Sequence, residues 1–217
     1  MVFNTGEKYT MIYIERIVRK ICEEHNILHV LEFVKEQNPT NDLPYHNWFH
    51  ILTVTKNCYE GAHELKLGTP STRNLLVAAL FHDFDHAGGK QSDDVNIEKA
   101  ILGFENFIES TTHTLDIEMI KSLIRVTQFP FIRIPVTIEQ KILRDSDVLQ
   151  AAECNWFEQV VVGLRKEFAN SGITMTDAEM IKNSNDFYGS LELFTVWGRK
   201  KYEEELMPKI KYLEFML

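Results

Sequence analysis

An uninterrupted apolar run in the first half of the chain ends in two chemically active residues. The run reads Leu-Leu-Val-Ala-Ala-Leu-Phe over residues 75–81, and His82 and Asp83 follow it directly. A charged Asp at the end of a buried run is costly unless a cation pairs with it. Imidazole nitrogen and carboxylate oxygen are both donors that divalent metals accept. The sequence therefore predicts a metal site at the end of a buried element.

The periodicity of the chain favours helices almost throughout. Taken alone, the run over residues 75–81 could be a buried strand, but Thr69, Pro70 and Ser71 offer cap and first-turn residues for a helix ending at His82. Apolar residues elsewhere recur with the i, i+3, i+4 spacing of a helix face. No long alternating strand pattern is present. We therefore predict an all-α fold, arranged as a single-domain helical bundle.

Local signals place the other helices. A turn over residues 41–44 precedes a helix that we expect to begin near Pro44 and to carry both His46 and His50. Start signals for later helices are Ser92 or Asp93 and the capping-box pairs Thr137 with Gln140 and Thr176 with Glu179. We expect one domain over residues 1–217, with a motif-bearing core at about residues 45–150 and a C-terminal helical extension.

Composition and net charge limit the kinds of molecule that the chain is expected to bind. The 217 residues carry a formal net charge of −9, which argues against an extended nucleic-acid surface or binding to an anionic membrane. A nucleotide substrate remains compatible, because a bound metal inverts the local field. The longest apolar run is far shorter than a membrane span. The three cysteines have no CxxC spacing, which is typical of free thiols in a reducing compartment. We expect a cytoplasmic protein.

Other residues of metal-ligand type flank the His82-Asp83 pair. His46 and His50 stand four residues apart, a spacing that puts two residues on one face of a helix. Asp145 and Asp147 lie downstream. Since these groups belong to different predicted helices, only the fold can bring them together. If it does, they would hold one or two divalent ions, for which Mn, Mg, Zn and Fe all remain candidates.

The order of these residues resembles the HD superfamily of metal-dependent phosphohydrolases, whose ligands follow the order His, His-Asp, Asp. Residues 45–50, Tyr-His-Asn-Trp-Phe-His, are similar to the Tyr-His-Asn-x-x-His motif of cyclic-nucleotide phosphodiesterase catalytic domains. Residues 82–88, His-Asp-Phe-Asp-His-Ala-Gly, are similar to their His-Asp-x-Asp-His-Pro-Gly motif, with Ala87 replacing proline. The resemblance runs from residue 45 to about residue 147, roughly half of the chain.

This resemblance implies a mechanism. His50, His82, Asp83 and Asp147 would hold a metal that activates water, Asp83 would bridge to a second metal, and His46 would protonate the leaving oxygen. The family pattern favours Asp147 over its neighbour because an apolar residue follows the ligand, so Asp145 would be a solvated or supporting carboxylate. The implied activity is hydrolysis of a nucleotide phosphoester, with a cyclic phosphodiester as the first choice of substrate.

Further residues are candidates for supporting roles. His86, Glu98 and Thr127 are expected to steady the ligands or to hold waters of a second metal. Lys90, Arg125, Gln128 and Arg144 are candidate substrate contacts. Trp48, Phe84, Phe129 and Phe131 lie beside motif residues and are candidates for a base pocket, although aromatic residues at such spacings are more often part of the core.

Departures from the family pattern leave the substrate open. Val-Leu-Gln at residues 148–150 stands where the phosphodiesterases have Ser-Asn-Pro, and their purine-clamping glutamine has no clear match. A 5′-nucleotidase acting on nucleoside monophosphates is therefore the alternative. A di-iron oxygenase would need extra histidine ligands, for which His86 and His113 are the candidates. A nucleotide sensor without activity would be expected to have lost a ligand. The alarmone hydrolases of the superfamily carry Glu-Asp after the His-Asp pair. This chain has Asp85-His86 there, which disfavours that activity.

Overall fold

The computed structural model describes residues 5–110, 114–153 and 155–216, with side chains described between residues 10 and 212 of these ranges. Over this part of the chain the structure consists of helices and turns without a β-strand, so the all-α prediction is confirmed there. The α-helices are α1 Thr5–Glu24, α2 Leu28–Gln37, α3 Trp48–Glu64, α4 Thr69–Phe81, α5 Asp93–Ser110, α6 Ile117–Val126, α7 Ile138–Val148, α8 Arg165–Asn170, α9 Asp177–Ser190, α10 Val196–Lys201 and α11 Met207–Met216.

Most helix boundaries follow the local signals. The capping boxes of α7, at Thr137, and of α9, at Thr176, have both of their reciprocal hydrogen bonds. The helix predicted to begin near Pro44 begins later. Asn47 has extended backbone, and its side chain accepts a hydrogen bond from the His50 amide at 3.1 Å, so Asn47 caps α3. His46 therefore precedes the helix, and the prediction that it shares a helix face with His50 is wrong.

Helices α3 and α4 form the centre of the first hydrophobic cluster. Helix α4 packs against α2, α3 and α6, while α3 packs against α1, α4 and α7. Every residue from Leu75 to Phe81 is fully buried. The apolar run lacks a polar face because neighbouring helices surround α4. We call this cluster the N-terminal core; its buried residues run from Ile14 to Leu143.

A second hydrophobic cluster lies in the C-terminal third of the chain. We call it the C-terminal cluster; its buried residues run from Leu149 to Ile210. A 3₁₀ turn, Leu149–Ala152, leads into it from α7, and π-helical segments, Phe157–Leu164 and Tyr202–Leu206, interrupt its α-helices. The segment predicted as a helical extension thus has buried apolar residues of its own.

Glycine permits a close approach that positions the site. The backbone carbonyl of Pro44 lies so near Gly163 that a Cβ atom at residue 163 would overlap it. This approach packs the turn before α3 against the C-terminal cluster. A larger residue at position 163 would push apart two segments that line the same pocket.

Among the described helices, none is long and apolar enough to cross a membrane.

Candidate functional site

Four side chains from three helix ends converge at one point. His50 Nε2 lies 3.1 Å from His82 Nε2, 3.1 Å from Asp83 Oδ2 and 3.2 Å from Asp147 Oδ1. His82 Nε2 lies 3.1 Å from Asp83 Oδ2 and 3.7 Å from Asp147 Oδ1. The structure therefore brings donor atoms of His50, His82 and Asp83 within 4.8 Å of one another and places Asp147 beside both histidines.

The separations of these donor atoms fit a common metal ion. Bonds of about 2.1 Å place neighbouring ligand atoms about 3.0 Å apart in an octahedron and about 3.4 Å apart in a tetrahedron. The observed separations, 3.1 to 3.7 Å, span this range. Asp83 Oδ2 is buried, and apart from the two imidazole nitrogens 3.1 Å away it has no hydrogen-bond partner among the described residues. Such an acceptor calls for a cation.

Local structure fixes the ring of His82 and the backbone of His50, two of the candidate ligands. His82 caps the C-terminus of α4, and its Nδ1 lies 2.7 Å from the carbonyl oxygen of Ala79. This contact makes Nδ1 the protonated nitrogen and leaves Nε2 with its lone pair directed at the cluster. His50 lies in the first turn of α3, where the Asn47 cap holds its backbone. Both rings are nearly fully buried.

The charges of the cluster also favour a bound cation. Burial lowers the pKa of His50, but the Asp147 and Asp83 carboxylates outweigh burial and raise this pKa to about 10. Burial alone would raise the pKa of Asp83. The His82 and His46 rings outweigh burial and hold this pKa well below its ordinary value. The two carboxylates thus attract positive charge at this point, which either a proton or a metal can supply.

Two aspartates that are two residues apart have different environments. Asp147 lies in the last turn of α7, beside the two histidines, and lines the pocket described below. Asp145 is fully buried and accepts hydrogen bonds from the Phe194 amide at 3.0 Å, the Thr195 amide at 2.9 Å and the Thr195 hydroxyl at 2.7 Å. Asp145 is therefore neither solvated nor directed at the metal cluster. It joins α7 to the C-terminal cluster.

Asp83 also belongs to a second group of potential ligands. Donor atoms of His46, Asp83 and His86 all lie within 4.8 Å of one another. The His46 and His86 rings stack with centroids 3.6 Å apart. Asp83 is therefore the residue common to both groups, at the position that a bridging carboxylate would occupy.

Hydrogen bonds hold the ring of His86 in place. Its Nδ1 accepts from the Gly88 amide at 3.1 Å, and its Nε2 lies 2.9 Å from the side-chain nitrogen of Asn96. Asn96 in turn donates to Asp93 at 3.2 Å and accepts from the Ala87 amide at 3.0 Å. Since both ring nitrogens have neighbours of their own, the arrangement fits a supporting role for His86 better than direct ligation.

Glu167 is a site residue that the sequence reasoning missed. One of its carboxylate oxygens lies 2.6 Å from His46 Nδ1, and the other accepts from the amides of Tyr45 at 2.7 Å and His46 at 3.0 Å. Glu167 is 1% exposed. Burial opposes ionisation of both groups, but their mutual attraction outweighs it, so the pKa of Glu167 is lowered and that of His46 is raised.

A sequence signal for Glu167 was available. Val160, Leu164 and Glu167 follow one another at spacings of four and three residues, so the glutamate occupies an apolar helix face. A buried acid on such a face needs a partner. The partner, His46, lies 121 residues away in the sequence, which is why the pairing itself required the fold.

A pocket of about 470 Å³ opens beside the metal ligands. On the side of the candidate metal ligands it is lined by His46, His82, Asp83, His86 and Asp147. The other walls are mainly apolar and come from the loop after α6 and from the C-terminal cluster, while the segment from Gly89 to Ile97 adds a more polar wall. Thr127 also lines the pocket, where its hydroxyl donates to the Ile124 carbonyl at 2.9 Å. The pocket volume suits a small-molecule ligand.

Several other nominated residues lie away from this pocket. Glu98 and Lys90 are exposed, and Arg125 and Gln128 are half-buried without lining it. Arg144 is buried and donates to the carbonyls of Val126 and Arg133. Its guanidinium carbon lies 3.8 Å from the centroid of the Phe131 ring. Its guanidinium thus holds the loop before α7. The structure does not bring these five residues to the metal ligands.

The candidate base-pocket aromatics divide into two pairs. Phe129 and Phe131 line the pocket. Trp48 and Phe84 are buried in the N-terminal core. His113, the other histidine considered for a di-iron centre, and Cys154 both lie outside the described residues.

Comparisons of the chain with protein-family models, curated proteins and solved structures find no match.

Proposed function

We propose that this chain is an HD-type metal-dependent phosphohydrolase that cleaves a phosphoester of a nucleotide, with a cyclic phosphodiester as the first candidate substrate. The observation that carries the proposal is the convergence of His50, His82, Asp83 and Asp147 beside a ligand-sized pocket, which the last three of these residues line. Buried clusters of two carboxylates and two imidazoles are costly to assemble without a cation.

The same pocket contains a group suited to proton transfer. A bound divalent metal would supply Lewis-acid polarisation of the phosphate and a water of lowered pKa. His46 lines the pocket, and its Nδ1 is engaged by Glu167, so Nε2 is the ring nitrogen that can donate a proton to a leaving oxygen. Glu167 holds the ring in place and stabilises its charged form. Tyr45 packs edge-on against the His46 ring and restricts its movement.

A nucleoside monophosphate is the second candidate substrate. The sequence lacks the purine-clamping glutamine motif that accompanies cyclic-nucleotide hydrolysis in the family it resembles. A 5′-nucleotidase would use the same metal ligands and the same proton donor, because its leaving group is also an alkoxide. The two activities differ in their products and not in their catalytic residues.

One assay separates the two activities. The purified chain, supplied separately with manganese, magnesium or zinc, is incubated with a 3′,5′-cyclic nucleotide and with a 5′-monophosphate. A 5′-monophosphate formed from the cyclic compound would support phosphodiesterase activity. Inorganic phosphate formed from the monophosphate would support nucleotidase activity.

A matched pair of variants guards the assay against contaminating enzymes. Asp83→Asn should abolish turnover of either substrate, whereas Glu98→Gln alters an exposed carboxylate away from the pocket and should leave turnover unchanged. Equal turnover by wild type and Asp83→Asn would contradict the proposal. So would the absence of turnover of both substrates with each metal, once metal binding had been demonstrated.

A further inference from the structure

Beyond the metal ligands, the pocket presents an apolar surface. Side chains from the loop after α6 and from the C-terminal cluster form it, among them Phe129, Phe131, Phe168, Met175, Met180 and Phe187. Phe187 contacts Phe129 edge-on, with ring centroids 5.9 Å apart. A surface of this kind binds the non-phosphate part of a ligand mainly by removing it from water.

The charged side chains that line the described pocket are acids and histidines. The acids are Asp83, Asp93, Asp147 and Glu167, and neither a lysine nor an arginine lines this pocket. Within this pocket, positive charge for a phosphate can therefore come only from bound metal and from the histidines. Arg133 and Arg144 line a neighbouring pocket, where Arg144 already donates to two backbone carbonyls. A second phosphate on the substrate would lie against apolar walls without a countercharge, where an ionised group is strongly disfavoured.

Polar side chains also line the pocket, and most of them are hydrogen-bonded within the protein: Gln91, Asn96, Thr127, Ser171, Asn183 and Ser184. The Ser184 hydroxyl donates to the Met180 carbonyl at 2.8 Å. The Asn183 amide nitrogen lies 3.0 Å from the Met175 sulfur, and Asn183 is exposed at the pocket mouth. Reading the edge of a base requires directed donors and acceptors within the site. These walls offer shape and apolar surface instead.

We propose that the pocket selects ligands that carry one phosphoester group on an apolar or aromatic body, and that it distinguishes them by apolar fit and not by base edges or additional phosphates. This inference rests on the proposed function and specifies its substrate class. It predicts weak discrimination among nucleobases and acceptance of alkyl and aryl phosphoesters.

A series of alkylphosphonates tests the inference by binding alone. The metal-loaded full chain is titrated calorimetrically with methyl-, butyl-, hexyl- and phenylphosphonate, which hold one phosphonate group and resist hydrolysis. Each methylene that enters the apolar surface should tighten binding about twofold to fourfold, up to the point at which the pocket is filled. Adenosine 3′,5′-bisphosphate should bind at least about tenfold more weakly than adenosine 5′-monophosphate, because its second phosphate lacks a countercharge.

Substitutions in the apolar surface test whether this surface causes the gain in affinity per methylene. Phe187→Ala and Met175→Ala should reduce the gain per methylene while leaving methylphosphonate affinity unchanged. Tyr212→Ala removes an exposed ring that does not line the pocket and should preserve the full gain. Thermal unfolding establishes that each variant is folded, and the two wall variants act as independent tests of one another.

The outcomes separate this inference from the proposed function. An affinity independent of chain length would overturn the inference, as would equal gains in wild type and both wall variants or equally tight binding of the bisphosphate. If nucleotides were hydrolysed while affinity stayed flat along the series, only the substrate class would be wrong. If affinity rose along the series while no phosphoester was cleaved, the apolar selectivity would stand and the hydrolase proposal would fall.

Discussion

The N-terminal core and the C-terminal cluster contribute different chemistry to one pocket. Three of the four convergent ligands, His50, His82 and Asp83, come from the ends of α3 and α4, whose buried faces pack at the centre of the N-terminal core. The C-terminal cluster contributes apolar wall and a single acid, Glu167. Asp147 lies in the last turn of α7, at the junction of the two regions.

This difference between the N-terminal core and the C-terminal cluster indicates that the two regions need different rigidity. A ligand set must hold its atoms within a few tenths of an ångström, and densely packed helices provide this precision. An apolar wall tolerates more variation, since removal from water has no preferred direction. The π-helical segments and short helices occur in the region that forms the wall. We therefore expect changes in the N-terminal core to affect metal binding and changes in the C-terminal cluster to affect the ligand.

The largest effect should follow loss of a ligand from the N-terminal core. His82→Ala and Asp83→Ala should each lose most of the bound metal and lower turnover more than about a thousandfold, because the metal supplies several kcal/mol of transition-state stabilisation. Elemental analysis of the purified variants, together with turnover, measures both effects. Full metal content in both variants would show that the cluster is not the metal site.

The next largest effect should come from the pair that joins the two regions. His46→Ala should retain metal but lose about a hundredfold to ten-thousandfold in kcat, with a smaller loss for a nitrophenyl ester, whose leaving group departs without protonation. Glu167→Gln should show the same pattern with a smaller loss of about tenfold. Equal losses on both esters would argue against proton donation by His46.

Metal removal should destabilise the fold measurably. At a metal concentration of about one hundred times Kd, binding to the native state adds about 2.7 kcal/mol to the free energy of unfolding. For a chain of this length, that corresponds to roughly 5–10 °C in Tm. Calorimetry with and without a chelator measures the shift. The same chelator should leave the Tm of Asp83→Ala unchanged, and a shift there would point to metal bound elsewhere.

Asp145 offers a test of the junction itself. Asp145→Ala removes the acceptor of two backbone amides and one hydroxyl, so we expect a loss of about 1–3 kcal/mol in the free energy of unfolding with metal binding retained. Asp147→Asn should show the opposite pattern, with weakened metal binding and little loss of stability. Denaturant titration measures the stability of both variants, and metal titration measures their metal affinity. Weakened metal binding in Asp145→Ala, with lost stability in Asp147→Asn, would show that the two carboxylates have the opposite roles.

The smallest effect should come from a residue that the sequence nominated and the fold leaves at the surface. Glu98→Gln should change the free energy of unfolding by less than about 0.5 kcal/mol and leave turnover unchanged. A clear loss of activity in this variant would mean that α5 approaches the ligand more closely than the described structure shows.

The sequence by itself determined the helical class, the helix boundaries marked by capping residues, and the His and Asp residues that converge as candidate metal ligands. These properties follow from local rules: apolar spacing, capping residues and the chemistry of His and Asp. The two capping boxes and the buried run before His82 needed no knowledge of distant contacts. The local prediction failed at His46, because the Asn47 side chain accepts a capping hydrogen bond from the His50 amide and the helix begins after Asn47.

Only the tertiary structure decided which charged residues reach the site. Glu167 meets His46 across 121 residues, while Arg144 turns to nearby carbonyls and Glu98 faces solvent. Asp145 and Asp147 are two residues apart, yet their carboxylates bind different partners because successive positions on a helix face different neighbours. Partner choice depends on the packing of helices distant in sequence, and residue spacing alone carries no information about that packing.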